Sequence, residues 1–288
     1  MDAEQALRAG DLAAAMADLT TRIRKAPADA RQRVFLFQLL SVLGDWERAL
    51  NQLNVAGELD PGTLAMVHTY RDALSCEALR EDVFAGRRAP LLLGQPADWM
   101  AWLLEAVRLS AEGASPEALE QARELRERAF EAAPATSGRL EGESGDGPFS
   151  ERFAWIADAD TRLGPMLEAM LNGAYYWIPF NRIRTINFEA PVDLRDLVWL
   201  PAHVTWVNGG EAVLLVPSRY PGSARSTDDR IRLGRLTEWQ ERGADLYTGL
   251  GQRLLTTDNG DRPLLEIRII ELDAADDEPQ PASASPGS

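Results

Sequence analysis

The chain has 288 residues, of which 45% are hydrophobic and 26% are charged, a composition typical of folded globular proteins large enough for two domains. Its formal charge of -15 at pH 7 argues against roles in binding nucleic acid or an anionic membrane. Cys76 is the only cysteine, and the chain shows neither a secretory signal pattern nor a membrane-spanning run, so we expect a cytoplasmic protein without disulfides.

The first half of the sequence repeats itself. Gly10-Asp11 recurs as Gly44-Asp45, and Pro27 recurs as Pro61, each after 34 residues, which is the tetratricopeptide period. A Gly-Asp pair can end one helix and begin the next, and a proline stops the helix that precedes it. We therefore predict a tetratricopeptide-like α-helical repeat domain over residues 1–133, with about six or seven helices.

Two segments are predicted to lack regular structure. Gly, Pro and small polar residues dominate residues 134–150, which indicates a linker or an exposed loop. Residues 274–288 are rich in acidic, Pro and Ser residues, and such a tail is expected to be disordered because it cannot bury enough apolar area.

Residues 151–273 are predicted to form a β-rich domain. Apolar runs flank Asn172-Gly173 and Asn208-Gly209, and a third hairpin is expected to pair 252–257 with 264–272 across Asn259-Gly260, because Asn-Gly favours tight hairpin turns. Residues 193–196 suit one helical turn. The predicted fold is therefore multidomain, with helical repeats followed by an antiparallel, barrel-like α+β domain.

Several segments in this second half have the amino-acid sequences, in the same order, that are characteristic of one family. They are Asp160-Thr-Arg-Leu-Gly-Pro, Glu168, Asn172-Gly173, Tyr175-Tyr-Trp-Ile-Pro-Phe, Asp193-Leu-Arg-Asp-Leu-Val-Trp, Asn208-Gly-Gly-Glu, Pro217-Ser-Arg-Tyr-Pro-Gly and Gly249-Leu-Gly-Gln-Arg. Together they resemble the ImpE family, also called TagJ. The likeness is close over the β-rich domain and looser over the helical half, and the acidic tail is not part of the pattern.

The resemblance implies an interaction role without catalysis. Proteins of this family are accessory components of the type VI secretion system. They bind the N-terminal helix of the small sheath subunit TssB and are linked to the ClpV unfoldase, which recycles contracted sheath. A groove between helical repeats could accept such a helix through apolar anchors spaced i, i+3, i+4 and i+7.

One candidate binding surface lies on the helix predicted after Pro96. Trp99, Trp102 and Leu103 are spaced i, i+3, i+4. An apolar stripe of this kind usually faces a core, but tryptophan is also enriched at the anchors of protein interfaces. Both readings stay open, and the three residues are candidate partner-binding positions.

A second candidate surface is the aromatic run Tyr175, Tyr176 and Trp177. Consecutive residues of a strand point to alternate faces, so these side chains need cover on both sides, either from the helical domain or from a partner. Stacking on single-stranded nucleic acid would need basic surroundings, which this acidic domain does not offer.

An enzymatic alternative rests on Asp158 and Asp160, which would share one face of an extended segment, as a paired-carboxylate site requires. An ion-pair network with Arg162 is the structural alternative. Lys25 is the only lysine, and His68 and His203 are the only histidines, so phosphate-loop and zinc signatures are missing and no cofactor or metal is predicted. A generic scaffold for another cytoplasmic complex is the remaining hypothesis.

Overall fold

The computed structural model of the chain describes residues 2–273, and the predicted disordered tail lies outside them. The first half is helical, as predicted. Its helices are α1 (Ala3–Ala9), α2 (Leu12–Lys25), α3 (Ala30–Leu43), α4 (Trp46–Leu59), α5 (Leu64–Phe84), α6 (Asp98–Leu109) and α7 (Pro116–Ala132). No helix among the described residues is long and apolar enough to cross a membrane.

The Gly-Asp pairs mark helix ends. Gly10 and Gly44 end α1 and α3 with φ of 79° and 71°, a left-handed conformation that glycine adopts without strain. The following Asp11 and Asp45 cap α2 and α4 by accepting hydrogen bonds from backbone N–H groups in the first turn. The repeated spacing therefore sets where these helices stop and start.

The second half is built from strands, preceded by one short strand between α5 and α6. The strands are β1 (Leu91–Leu92), β2 (Gly138–Ser144), β3 (Gly147–Phe153), β4 (Ile156–Asp158), β5 (Met166–Leu171), β6 (Ala174–Pro179), β7 (Ile183–Phe188), β8 (Trp199–Trp206), β9 (Glu211–Pro217), β10 (Thr237–Glu241), β11 (Tyr247–Gly251), β12 (Leu254–Thr257), β13 (Gly260–Pro263) and β14 (Ile267–Leu272). A short helix, α8 (Asp229–Arg232), lies between β9 and β10.

Nine of these strands form one open sheet in the order β1-β6-β5-β9-β8-β7-β14-β2-β3. The sheet is mixed, because β1 runs parallel to β6 while the other neighbouring strands are antiparallel. The predicted barrel is wrong, since β1 and β3 lie at separate edges. Closure is unnecessary because other elements cover both faces: the helices pack on one, and β4 and β12 supply apolar side chains to the other.

Two of the three predicted hairpins are confirmed. Asn172-Gly173 joins β5 to β6, with φ of 49° and 74°, and residues 207–210 join β8 to β9. The third is wrong in its partner: Asn259-Gly260 joins β12 to β13, whereas β14 pairs with β2 and β7. A 3-10 turn at Leu264–Glu266 redirects the chain between β13 and β14. The helical turn predicted at 193–196 is observed at Leu194–Leu197.

The predicted linker at 134–150 instead contains the hairpin β2–β3, which forms one edge of the large sheet. Its glycines serve close packing. A Cβ at Gly138 would lie 2.1 Å from the carbonyl oxygen of Glu271, and one at Gly142 would lie 2.2 Å from that of Glu266. Glycine is therefore required where neighbouring backbone approaches β2.

The helices and the sheet share a core. Phe37 and Leu40 of α3 belong to the same buried cluster as Tyr175, Trp177 and Trp199 from the sheet. The opposite face of the sheet forms a second apolar cluster with residues such as Leu167, Ile178 and Leu255. The helical half is thus one of the layers that bury the sheet.

Buried charge network and candidate interaction surfaces

The aromatic run in β6 splits between the two faces of the sheet, as strand alternation predicts. Tyr175 and Trp177 are fully buried on the face toward the helices, and the rings of Trp177 and Phe84 have centroids 5.5 Å apart. Tyr176 is half-buried and packs against the opposite core. Two of the three side chains are therefore covered by the chain's own helical half.

Tyr175 and Trp177 lead into a buried charge network centred on Glu168 of β5. The Trp177 indole donates a hydrogen bond of 2.8 Å to the Tyr175 hydroxyl, which donates one of 2.7 Å to Glu168 Oε1. Arg80 of α5 binds both carboxylate oxygens of Glu168, and Arg253 binds Oε2. Glu168 thus joins a helix, a strand of the large sheet and the segment between β11 and β12.

The network continues through two aspartates. Arg253 forms a second ion pair with Asp158. Asp158 Oδ1 accepts a hydrogen bond of 2.8 Å from the backbone N–H of Asp160. Asp160 in turn receives a bidentate contact from Arg162, with distances of 2.9 and 2.5 Å, and a hydrogen bond of 3.1 Å from the backbone N–H of Gly249.

The other end of the network reaches toward the N-terminal helices. The Trp199 indole donates a hydrogen bond of 2.7 Å to Glu77 Oε1, and Arg80 donates one of 2.7 Å to the carbonyl of Arg219. Arg219 donates to the carbonyl of Val42, at 2.9 Å, and to that of Arg232. Its guanidinium therefore lies at the carbonyl end of α3, where a positive charge is favourable.

Burial and ion pairing act against each other on the acids of this network. Burial raises the pKa of Asp158 to about 6, although Arg253 opposes the shift. Burial also raises the pKa of Glu77, partly offset by Arg80. Burial likewise disfavours ionised Glu168, but Arg80 and Arg253 outweigh it and hold the pKa below its usual range. Glu168 is the firmly ionised centre of the network.

The geometry indicates that the buried charge network centred on Glu168 is a structural joint, which holds the helices to the sheet. The cavity above Arg80 and Arg219 measures about 30 Å³, the space of about one water molecule. Asp158 and Asp160 are 2% and 0% exposed, and both carboxylates are engaged by arginines. They form the predicted ion-pair alternative and leave no room for a substrate beside them, so the geometry does not favour the enzymatic alternative. Among residues 2–273, no cluster of three or more His, Cys, Asp or Glu could hold a metal ion.

Glu77 and Arg80 are network residues that lie outside every segment singled out in the sequence. They lie on the face of α5 that also carries buried Ala73, Cys76 and Val83. A charged pair at i, i+3 within an otherwise apolar helical stripe was the available signal, because charges are seldom buried without partners. Their partners could not be identified from local sequence, because Glu168 is 88 positions from Arg80 and Trp199 is 122 positions from Glu77.

The candidate surface on α6 is mostly internal. Trp99 and Leu103 are buried in the first core, while Trp102 is half-buried at its edge. The guanidinium of Arg128, from α7, lies 3.8 Å from the centroid of the Trp102 ring. Packing between helices accounts for Trp99 and Leu103, and Trp102 is the member of this set that keeps a partly accessible face.

The N-terminal helices form a groove that the sequence did not locate, which we call the helical groove. Side chains from α1, α3, the junction between α4 and α5, and residues 192–194 line it. Its apolar members are Leu7, Val34, Phe35, Val192 and Leu194. Charged residues, including Glu4, Arg8, Arg31, Asp60 and Asp193, surround them. An apolar floor with a charged rim is the usual form of a site for an amphipathic helix.

Helices held by a buried ion network against an open mixed sheet define an α+β class of protein. A family model described as ImpE protein matches residues 150–271. The type VI secretion system accessory component TagJ of Pseudomonas aeruginosa is 51% identical over 276 residues, covering 96% of this chain and 92% of the relative. The chain belongs to the ImpE/TagJ family, which confirms the resemblance found in the sequence.

The fold is also seen in a solved structure. An X-ray crystal structure of a protein from Vibrio parahaemolyticus matches with a TM-score of 0.79 and 26% sequence identity, covering 94% of this chain and 97% of that chain. The match spans both the helical half and the sheet. The arrangement of the two halves is therefore shared with a relative of much lower sequence identity.

Proposed function

We propose that this protein is a non-enzymatic accessory component of a type VI secretion system. In this role it is an adaptor that binds the N-terminal helix of the sheath subunit TssB and is linked to recycling of contracted sheath by ClpV. The observation that carries the proposal is 51% identity over nearly the full chain with a type VI accessory component. A relationship of this extent includes the helical half as well as the ImpE-type region.

The structure supports an adaptor in two ways. The charge network and shared core hold the helices against the sheet, so the surface of the helical half is preorganised, which lowers the entropic cost of binding. The helical groove offers half-buried apolar side chains on that surface. The single cysteine, Cys76, is free and buried, which suits the cytoplasmic location we assign to this role.

The test is calorimetric titration of the full chain with a synthetic peptide of the TssB N-terminal helix. We expect saturable binding at micromolar affinity or better, and none with a scrambled peptide of the same composition. Absence of heat, together with failure of the protein to co-purify with intact TssB, would overturn the proposal.

The link to ClpV needs a separate experiment. The protein should retain ClpV in a pull-down when sheath subunits are present. Repeating the pull-down with purified ClpV alone distinguishes direct contact from a link through the sheath. If ClpV is retained under neither condition, this part of the proposal is wrong.

A further inference from the structure

One side of the helical groove is lined by the start of a helical turn of the chain itself. The turn Leu194–Leu197 packs against α3 and α5: the backbone N–H of Leu194 donates a hydrogen bond of 3.2 Å to Gln38 Oε1. Arg195 lies 4.8 Å from the centroid of the Tyr70 ring, and Leu194 and Leu197 pack against the first core. The surface of α3 and α5 therefore accepts a helical turn that carries apolar side chains.

Beyond this turn the groove stays open and apolar. Leu7 of α1 and Val34 and Phe35 of α3 are half-buried, so each presents part of its side chain to the groove. Val192, just before the turn, is 90% exposed. A large apolar residue with so little cover, beside other accessible apolar side chains, indicates a surface that a partner covers.

The charges around the opening favour an acidic partner. Glu4 is paired with Arg22 at 3.1 Å and Asp193 with Arg195 at 2.5 Å. Arg8 and Arg31 line the same groove, and neither side chain forms an ion pair with any residue between 2 and 273. Asp60 accepts a hydrogen bond of 2.9 Å from the backbone N–H of Gly62 and is the one rim acid that also lacks an ion pair within residues 2–273. Two unpaired arginines against one unpaired acid leave a net positive charge at the rim, although the chain as a whole is strongly acidic.

We propose that the helical groove is the site that receives the partner helix, continuing the path of the turn Leu194–Leu197. The partner's apolar stripe covers Leu7, Val34, Phe35 and Val192, and acidic residues flanking that stripe meet Arg8 and Arg31. This assignment rests on the proposed function for the identity of the helix, and it adds the location and the charge preference of its site.

The experiment compares matched variants in calorimetric titrations with the TssB N-terminal peptide. Val192→Glu and Arg31→Glu alter exposed groove residues, so the fold should be retained. Val213→Glu, at a position 58% exposed on the sheet, and Arg88→Glu, on the exposed loop after α5, make the same chemical changes outside the groove. We expect the dissociation constant to rise about ten-fold or more for the groove variants, as for loss of an interface anchor, and to stay unchanged for the controls.

The outcomes separate this assignment from the proposed function. If the original protein binds the peptide and the groove variants bind it equally well, the groove is not the site and the proposed function stands. If groove and control variants weaken binding alike, the effect is general electrostatics and the groove assignment is wrong. If the original protein neither binds the peptide nor co-purifies with TssB, the proposed function itself fails, and if it co-purifies without binding the peptide, the groove assignment alone is wrong. A peptide with its acidic residues changed to lysine should recover affinity with Arg31→Glu, and no recovery would overturn the charge preference.

Discussion

The joint between helices and sheet and the helical groove both involve α3, yet they are opposite in character. Glu168, Arg80 and Arg253 of the joint are buried and bound to several partners each. The groove presents half-exposed apolar side chains and two arginines without ion pairs in the described part of the chain. Most of the segments that identify the family contribute to the joint, so they report on stability, whereas the proposed binding groove is lined mainly by residues outside those segments, with Asp193 and Leu194 as the exceptions.

The largest expected effect is loss of the central carboxylate of the joint. Glu168→Ala leaves Arg80 and Arg253 without their shared partner in a buried site. Removal of one partner from such a site typically costs about 3–5 kcal/mol, so the free energy of unfolding should fall by this amount in denaturant titrations. Glu143→Ala, at an exposed position of the β2–β3 hairpin, should change it by less than about 0.5 kcal/mol. Equal effects would contradict a structural role for the joint.

A second effect of the joint depends on pH. Burial raises the pKa of Asp158 from 3.8 to about 6, so between these values the folded protein holds a proton that the unfolded chain has released. The stabilisation from Asp158 is therefore complete below pH 3.8 and is lost as the pH rises through about 6. Asp158→Asn removes this titration.

The measurement is the free energy of unfolding of both proteins from acidic to neutral pH. The stability of the original protein relative to Asp158→Asn should fall by on the order of 3 kcal/mol between about pH 4 and about pH 7. Asp146→Asn changes an exposed aspartate and serves as the control with a constant difference. If the difference in free energy of unfolding between the original protein and Asp158→Asn is also constant with pH, burial does not raise the pKa of the Asp158 carboxyl group.

A third effect tests whether a motif glycine serves packing at the joint. A Cβ at Gly249 would lie 2.2 Å from the Tyr220 ring, so Gly249→Ala must displace that ring from its place beside Arg253. Overpacking of this kind typically costs about 1–3 kcal/mol. Gly145→Ala, where nothing lies within 4 Å of the added Cβ, should be nearly neutral. Equal melting temperatures for the two variants would contradict the packing role.

The parts of the fold that sequence could predict are those with local signals. The Gly-Asp pairs located the ends of α1 and α3, and Asn172-Gly173 located the turn between β5 and β6, because each depends on backbone conformations that few residues adopt. The β2–β3 hairpin was missed since Gly138 and Gly142 resemble loop residues, and their need to accommodate neighbouring backbone is not visible in sequence.

The candidate sites show the same difference between local signals, which sequence reveals, and long-range contacts, which it does not. Asp158, Asp160 and Arg162 were expected to form either a network or a catalytic pair, and local spacing could not decide between them. The decision came from Arg253, which is 95 positions from Asp158. The helical groove could not be located from sequence, because it brings α1 and α3 together with a turn some 150 or more positions away, as the contact between Gln38 and Leu194 shows. Long-range pairing of this kind is set by the whole fold.

The prediction with the smallest expected effect tests whether the partner binds in the helical groove or at the surface around Trp102. The guanidinium of exposed Arg128 lies 3.8 Å from the centroid of the half-buried Trp102 ring, and a cation–π contact at an accessible site contributes about 0.5–1 kcal/mol. Arg128→Ala should therefore lower the free energy of unfolding by this amount, while Arg88→Ala, a change at an exposed arginine elsewhere, leaves it unchanged. If the helical groove receives the TssB helix, peptide affinity should be the same in both variants, because neither arginine lines that groove. A fall in affinity confined to Arg128→Ala would move the binding site to the surface of α6 and α7, and would restore Trp102 as a partner contact.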